Sequence, residues 1–192
     1  PPTLGAFDAA TVAHISLDDY AIIPEISATA RAVYAAGLAM GNNPRVFSKL
    51  GDCNSATPYF LAAFDKGEYR LGSQYAYLQG TIDHFAGSFN RDGAVARDGL
   101  NPASVFDSIW ALPGLCQRGE SPLACEYRLN QPSVALILLG TGDQHTWQGF
   151  EARYRQIIEY TIAQGIVPVL ITKADDLESL ENTAPVGYIN DV

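Results

Sequence analysis

The sequence is short of basic residues and has no apolar run long enough to cross a bilayer. Lysine and arginine number 12 against 21 aspartate and glutamate residues, which gives a formal net charge of -9. The acidic residues are scattered, so the chain offers no basic surface for nucleic acid or an anionic membrane. The longest apolar runs, Val134 to Leu139 and Ile166 to Ile171, have the length of buried strands. We therefore expect no nucleic-acid partner and no membrane span.

Cysteine is also scarce, with three in 192 residues. Cys116 and Cys125 bracket a stretch containing Gly and Pro, while Cys53 lies far from both. We predict a disulfide between Cys116 and Cys125 and a free thiol at Cys53; the alternative is three reduced cysteines of a cytosolic protein. The numbered chain begins with Pro1, which is typical of a processed product or an excised fragment. These features predict a secreted or cell-surface protein.

Motifs for metals and nucleotides are missing from the sequence. There is no His-x-x-His, no Cys-x-x-Cys and no acidic loop with calcium spacing. The acidic run Asp175-Asp176 with Glu178 is typical of a solvated helix start. Gly140-x-Gly142 is followed by neither the third glycine nor the lysine of a nucleotide loop. We expect no metal and no cofactor.

Helical and strand patterns alternate along the chain. Residues 1–24 have weak periodicity and predict an N-terminal arm, and residues 25–192 predict one α/β domain. Within it the patterns predict, in order, a helix from Ser27 to the break at Gly41, a strand at 45–50, helices at 55–64 and 73–85, a short strand within 91–99, a helix at 102–110, a strand at 133–139, a helix at 150–162 and a strand at 166–172. A cysteine-closed loop at about 111–130 is predicted to be a surface insertion. This order favours a three-layer α/β/α fold with a doubly wound parallel sheet.

Two turns at predicted strand ends collect polar residues beside glycine. One spans residues 49–54 and the other residues 139–145. Because ligands of open parallel sheets bind beyond the carboxyl ends of the strands, we expect the functional site there.

These turns carry a resemblance to a known family. Gly51-Asp52-Cys53 resembles the first block, Gly-Asp-Ser, of the SGNH (GDSL-type) hydrolases, and Gly140-Thr141-Gly142-Asp143 resembles their third block, Gly-x-Asn-Asp. Gly99 to Ser104 resembles the second block. The order and spacing of the three motifs extend the resemblance over residues 44–175. It implies a flavodoxin-like fold and an ester-hydrolase ancestry.

The resemblance implies altered catalytic positions. Cys53 stands at the place of the nucleophilic serine, and the neighbouring Asp52 opposes ionisation of its thiol. Pro102 stands at the second-block glycine and has no N–H to donate to an oxyanion, unless the alignment is offset by a residue or two. Gly142 replaces the oxyanion-binding asparagine, and Asp143 matches the family aspartate, for which we expect a role in holding the turn.

The catalytic base is a further expectation of the resemblance. The family takes it from an Asp-x-x-His block that does not occur before Val192, so we expect it in a C-terminal segment outside the printed chain or at His145, beside the third block. His14 and His84 match no predicted strand end. The family sheet also has a last strand and helix beyond this point. We therefore expect a homo-oligomeric partner or a companion C-terminal fragment to cover an apolar sheet edge.

Two functional hypotheses follow. In the first, the domain is a catalytically impaired SGNH-like protein used for extracellular binding or assembly. Several of its tyrosines lie close to glycine and could contact a glycan or another subunit: Tyr69, Tyr75, Tyr77 and Tyr188. In the second, it is an active ester or thioester hydrolase with Cys53 as nucleophile and an acyl or carbohydrate ester as substrate.

Overall fold

A computed structural model describes residues 25–143, 147–173 and 188–192. The predicted arm 1–24 and His145 lie outside the described residues. The α-helices are α1 (Ala28–Met40), α2 (Cys53–Ala56), α3 (Ala62–Lys66), α4 (Gln79–His84), α5 (Pro122–Asn130), α6 (Phe150–Ala163) and α7 (Tyr188–Asp191). The strands are β1 (Asn43–Gly51), β2 (Pro132–Leu138) and β3 (Val167–Leu170). The predicted α/β class is confirmed.

The three strands form a parallel sheet in the order β1-β2-β3. At its end β1 gains a further neighbour, because Gly51 also forms a parallel bridge with Ala96 on the side away from β2. The short strand predicted within 91–99 is therefore reduced to this bridge. The predicted unit of strand, helix and strand is confirmed as β2, α6 and β3.

Apolar clusters cover both faces of the sheet. Successive side chains of a strand point to opposite faces, and along β2 Ala135 and Ile137 belong to one cluster while Val134 and Leu136 pack on the other. The first cluster adds side chains from α5, α6 and α7 and from residues 95–106, and the second adds Phe47 of β1 and side chains from residues 61–89. The sheet is thus a central layer between two sets of connecting segments.

Helix α1 begins and ends as the sequence predicts. The hydroxyl of Ser27 accepts a hydrogen bond from the amide of Ala30 at 3.0 Å, and Gly41 ends the helix with a φ of 97°. The helix approaches the loop after α6 through Gly37, where a Cβ would lie 1.9 Å from the carbonyl oxygen of Gly165. Only glycine fits at this close contact.

The prediction of two long helices between residues 55 and 85 is wrong. The first is split into α2 and α3, with Pro58 and a left-handed Leu61 (φ 65°) between them. Proline lacks an amide hydrogen, and a left-handed residue cannot continue a right-handed helix, so the chain turns here. The second is a 3₁₀ helix at Ser73–Leu78 followed by α4. The helix predicted at 102–110 consists of two 3₁₀ turns, Ser104–Phe106 and Ser108–Trp110.

The cysteine-closed segment corrects a further prediction. The disulfide between Cys116 and Cys125 is present. The second half of the segment is not a surface loop but helix α5, which starts with Ser121 as N-cap and Pro122 in its first turn. Leu123 and Cys125 in this helix are fully buried. The disulfide therefore anchors a loop to a helix of the core.

Among the described residues, no helix combines the length and the apolar character that crossing a bilayer requires.

A buried carboxylate joins helix α5 to the sheet. Glu126 is 1% exposed and accepts hydrogen bonds from the Ser48 hydroxyl of β1 at 2.6 Å and from the Ala94 amide at 2.7 Å. It also accepts from the Asn130 side chain at 2.8 Å and lies 3.6 Å from an Arg91 nitrogen. A buried charge is tolerated when it is hydrogen-bonded and paired. Glu126 thereby holds the segment leading to Ala96 against β1.

We expect Glu126→Ala to lower the free energy of unfolding by about 3–5 kcal/mol, because the donors around the carboxylate remain buried without a partner. Chemical denaturation measures the change. Glu151→Ala is the matched control, since it breaks the partly exposed Glu151–Arg155 pair and should cost less than about 1 kcal/mol. Equal losses in the two variants would contradict the role of Glu126.

Candidate functional site

The turns after β1 and β2 meet at one edge of the sheet. One carboxylate oxygen of Asp52 accepts from the Asn54 amide at 2.9 Å, and the other accepts from the Thr141 amide at 3.2 Å. The side chain of Asn54 donates to the Thr141 hydroxyl at 2.8 Å. We call this place, formed by residues 51–54, 97–99 and 140–143, the rim. Asp52 is 3% exposed, and each of its carboxylate oxygens accepts a hydrogen bond from a backbone amide.

Gly51 fixes how closely the rim is packed. A Cβ at this position would lie 2.1 Å from the Ser55 hydroxyl oxygen and 2.3 Å from the Leu138 carbonyl oxygen. The backbone of Gly51 donates to the Val95 carbonyl and accepts from the Arg97 amide. Three segments therefore converge on a residue that has no room for a side chain.

Cys53 comes two residues after Gly51 and is an exposed, free cysteine. Burial of its sulfur by neighbouring atoms is the main cause that raises the pKa of the thiol, and the charges of Asp52 and Asp98 raise it further. Backbone amides of Asn54 and Cys53 oppose the shift without cancelling it. A thiolate is the nucleophilic form of cysteine, so the surroundings keep Cys53 in its less reactive state.

Asp98, in the third segment of the rim, is a neighbour of Cys53 that the sequence does not predict, although the adjacent Gly99 belongs to the expected second block. Because Arg97 is bonded to Gly51, the next residue, Asp98, comes close enough to act on the Cys53 thiol. The weak strand pattern at 94–97 was the only signal in the sequence for this neighbour. Pro102 is buried in a turn that Asn101 organises by accepting from the amides that follow. Its assignment to the second-block position stays a prediction.

The turn after β2 is compact but lacks a side chain at Gly142. The Asp143 amide donates to the Gly140 carbonyl at 3.1 Å, and Asp143 is buried. Gly142 is exposed, and a Cβ there would meet nothing within 4 Å. Gly140 has a φ of 131°, and Ile189 of α7 fills the space beside it. Crowding at the Cβ therefore does not require glycine at position 142, and the absence of a side chain there comes from the sequence.

The histidines do not supply a base among the described residues. The ring of His84 lies with Nε2 2.8 Å from the Pro44 carbonyl oxygen, at the start of β1. Cys53 follows the end of the same strand, so the two are at opposite ends of the sheet. His14 and His145 lie outside the described residues, and the candidacy of His145 stays a prediction.

A metal centre has no support at the rim. Within the described residues, one group of side chains brings metal-binding atoms together: Cys116, Glu120 and Cys125. The two sulfurs are joined in the disulfide, and Glu120 is paired with Arg128 at 2.7 Å. The disulfide and the ion pair therefore already use the atoms that a metal ion would need.

Comparison of the chain with protein-family models, with curated proteins and with solved structures finds no match.

We expect Gly51→Ala to destabilise the protein by about 2 kcal/mol, because the new methyl group must displace the Ser55 side chain and the Leu138 carbonyl. Gly142→Ala is the matched control, and its change should stay within about 0.5 kcal/mol. Denaturant titration of the two variants measures the difference. If both behave alike, the close packing at Gly51 does not constrain the fold.

We expect the alkylation rate of Cys53 by iodoacetamide to rise with pH around a midpoint above that of an ordinary cysteine. Asp98→Asn removes a charge that raises the pKa, so it should lower the midpoint and speed the reaction at pH 8 roughly twofold, as exposed charges contribute a few tenths of a kcal/mol. Glu159→Gln on the outer face of α6 is the control and should leave the profile unchanged. A wild-type midpoint below the ordinary value would show an activated thiol instead.

Proposed function

We propose that the chain is a secreted SGNH-like domain in which hydrolysis is impaired and which acts by binding or assembly outside the cell. Its fold is proposed to be the flavodoxin-like, doubly wound sheet of that family. The strand order supports this, since the chain goes from β1 to the Ala96 segment on one side and then to β2 and β3 on the other. The reversal lies between β1 and β2, which is where open α/β sheets bind ligands.

The observation that carries the impaired state is the surroundings of Cys53. A working nucleophile of this kind needs a lowered pKa or an adjacent base, and here the pKa is raised. Gly142 stands where the family has an oxyanion-binding asparagine, and it offers no side chain to stabilise an oxyanion. The loss of one such donor costs about 10²- to 10³-fold in rate. Asp52 is occupied in joining the two turns.

The extracellular location and the binding role rest on separate features. The disulfide between Cys116 and Cys125 supports an oxidising compartment. Strand β3 is an edge of the described sheet, and its residues Val169 and Leu170 are 39% and 49% exposed. Such an edge favours a second copy or a companion fragment as a partner.

The test is hydrolysis of p-nitrophenyl acetate by the wild type, by Cys53→Ala and by Thr29→Ala, which removes an exposed hydroxyl of α1. We expect equal steady-state turnover rates for the three proteins, close to the rate of spontaneous hydrolysis in buffer. The raised pKa of Cys53 slows formation of an acyl-enzyme, because less of the thiol is present as thiolate. Mass spectrometry should find no rapid burst of acetylation at this residue.

The exposed position of Cys53 is the one feature that favours the alternative, an active ester or thioester hydrolase. Turnover in the wild type that vanishes in Cys53→Ala and persists in Thr29→Ala would overturn the impaired-domain proposal in favour of the enzyme.

A further inference from the structure

A cleft lies between the end of α3 and the start of α4. It has a volume of about 530 Å³ and is lined by Gly67, Tyr69, Leu71, Ala76 and Gln79. The volume falls within the range of about 300–1,000 Å³ that small-ligand sites occupy. Nothing in the chemistry of the rim uses these residues.

The cleft combines an aromatic ring with an oriented amide. The Tyr69 hydroxyl lies 3.1 Å and 2.9 Å from the oxygen and nitrogen of the Gln79 side chain, and the same nitrogen donates to Asp83 at 2.8 Å. The Tyr69 ring packs on Phe64 with centroids 5.1 Å apart, which fixes its orientation. The polar groups are therefore held in place before any ligand arrives.

Further aromatic residues flank one lining residue of the cleft. Ala76 is central in the 3₁₀ helix Ser73–Leu78, and the residues on either side of it, Tyr75 and Tyr77, are 49% and 71% exposed. Exposed tyrosines offer both a flat apolar face and a hydroxyl.

The cleft is remote from the rim. The Asp83 carbonyl accepts from Arg45 near the start of β1, whereas Cys53 follows the end of that strand. A strand rises about 3.3 Å per residue, so the length of β1 separates the two places. A ligand in the cleft would not contact Cys53.

We propose that this cleft binds an uncharged carbohydrate. A pyranose ring presents an apolar C–H face that packs on a tyrosine ring. Its equatorial hydroxyls can donate to the side-chain oxygen of Gln79, which has a second lone pair beyond the one that faces Tyr69. The five lining residues carry no charge, and the neighbouring Asp83, which accepts a hydrogen bond from Gln79, is acidic, so the cleft disfavours a phosphate, a sulfate or a uronate. Gly67 ends α3 in the left-handed conformation and has open space beside it, which leaves the cleft mouth unobstructed.

The experiment titrates the whole chain with cellohexaose, maltohexaose and chitohexaose, using calorimetry and saturation-transfer NMR. We expect saturable binding of at least one of these neutral hexasaccharides and none of hexagalacturonate. Gln79→Ala should weaken binding about tenfold and Tyr69→Phe about fivefold, because each removes hydrogen-bonding capacity while the Phe variant keeps the ring. Tyr59→Ala changes a tyrosine that is 94% exposed outside the cleft and should have no effect.

Several outcomes would overturn the proposal. The first is the absence of saturable binding of the neutral hexasaccharides. The second is a Gln79→Ala variant that binds them with the affinity of the wild type and has an unchanged denaturation midpoint. The third is binding of a proline-rich decapeptide in place of the sugars. Cys53→Ala should leave carbohydrate binding unchanged. The result is thus independent of the esterase test.

Discussion

The arrangement of the rim depends on one glycine. Gly51 pairs with Leu138 on one side and bridges Ala96 on the other, and Ser55 of the next helix packs directly over it. Any side chain here would push these segments apart, and the two turns that Asp52 joins would separate with them. The close approach of three backbones thus determines which residues can face a ligand, before the chemistry of those residues matters.

The rim that results favours uncharged chemistry. Cys53 is accessible, yet partial desolvation of its sulfur and the nearby carboxylates of Asp52 and Asp98 raise the pKa of its thiol, which favours the protonated form. Asp52 has both oxygens engaged with backbone amides, which makes it a structural residue of the turn. Such a surface can bind a neutral group, but developing negative charge on oxygen would meet acidic neighbours and no opposing side chain at Gly142.

Local patterns that extend over a whole element predict much of the fold. The continuous apolar run of β2, the amphipathic face of α6 and the cysteine spacing each predicted an element that the structure contains, and the glycines at strand ends located the meeting turns. The breaks around Pro58 and Leu61 were missed because apolar residues continue at helical spacing across them. The burial of α5 and the approach of Asp98 depend on contacts between distant segments, which local periodicity does not report.

Glu126 has a consequence for the dynamics of the protein. Its carboxylate lies on α5 and accepts hydrogen bonds from β1 and from the segment that carries Ala94, and it is 1% exposed. A local opening of any one of these segments therefore strands a charge inside the other two, at a cost comparable with a large part of a typical domain's stability. The three segments are therefore expected to open together and not one at a time.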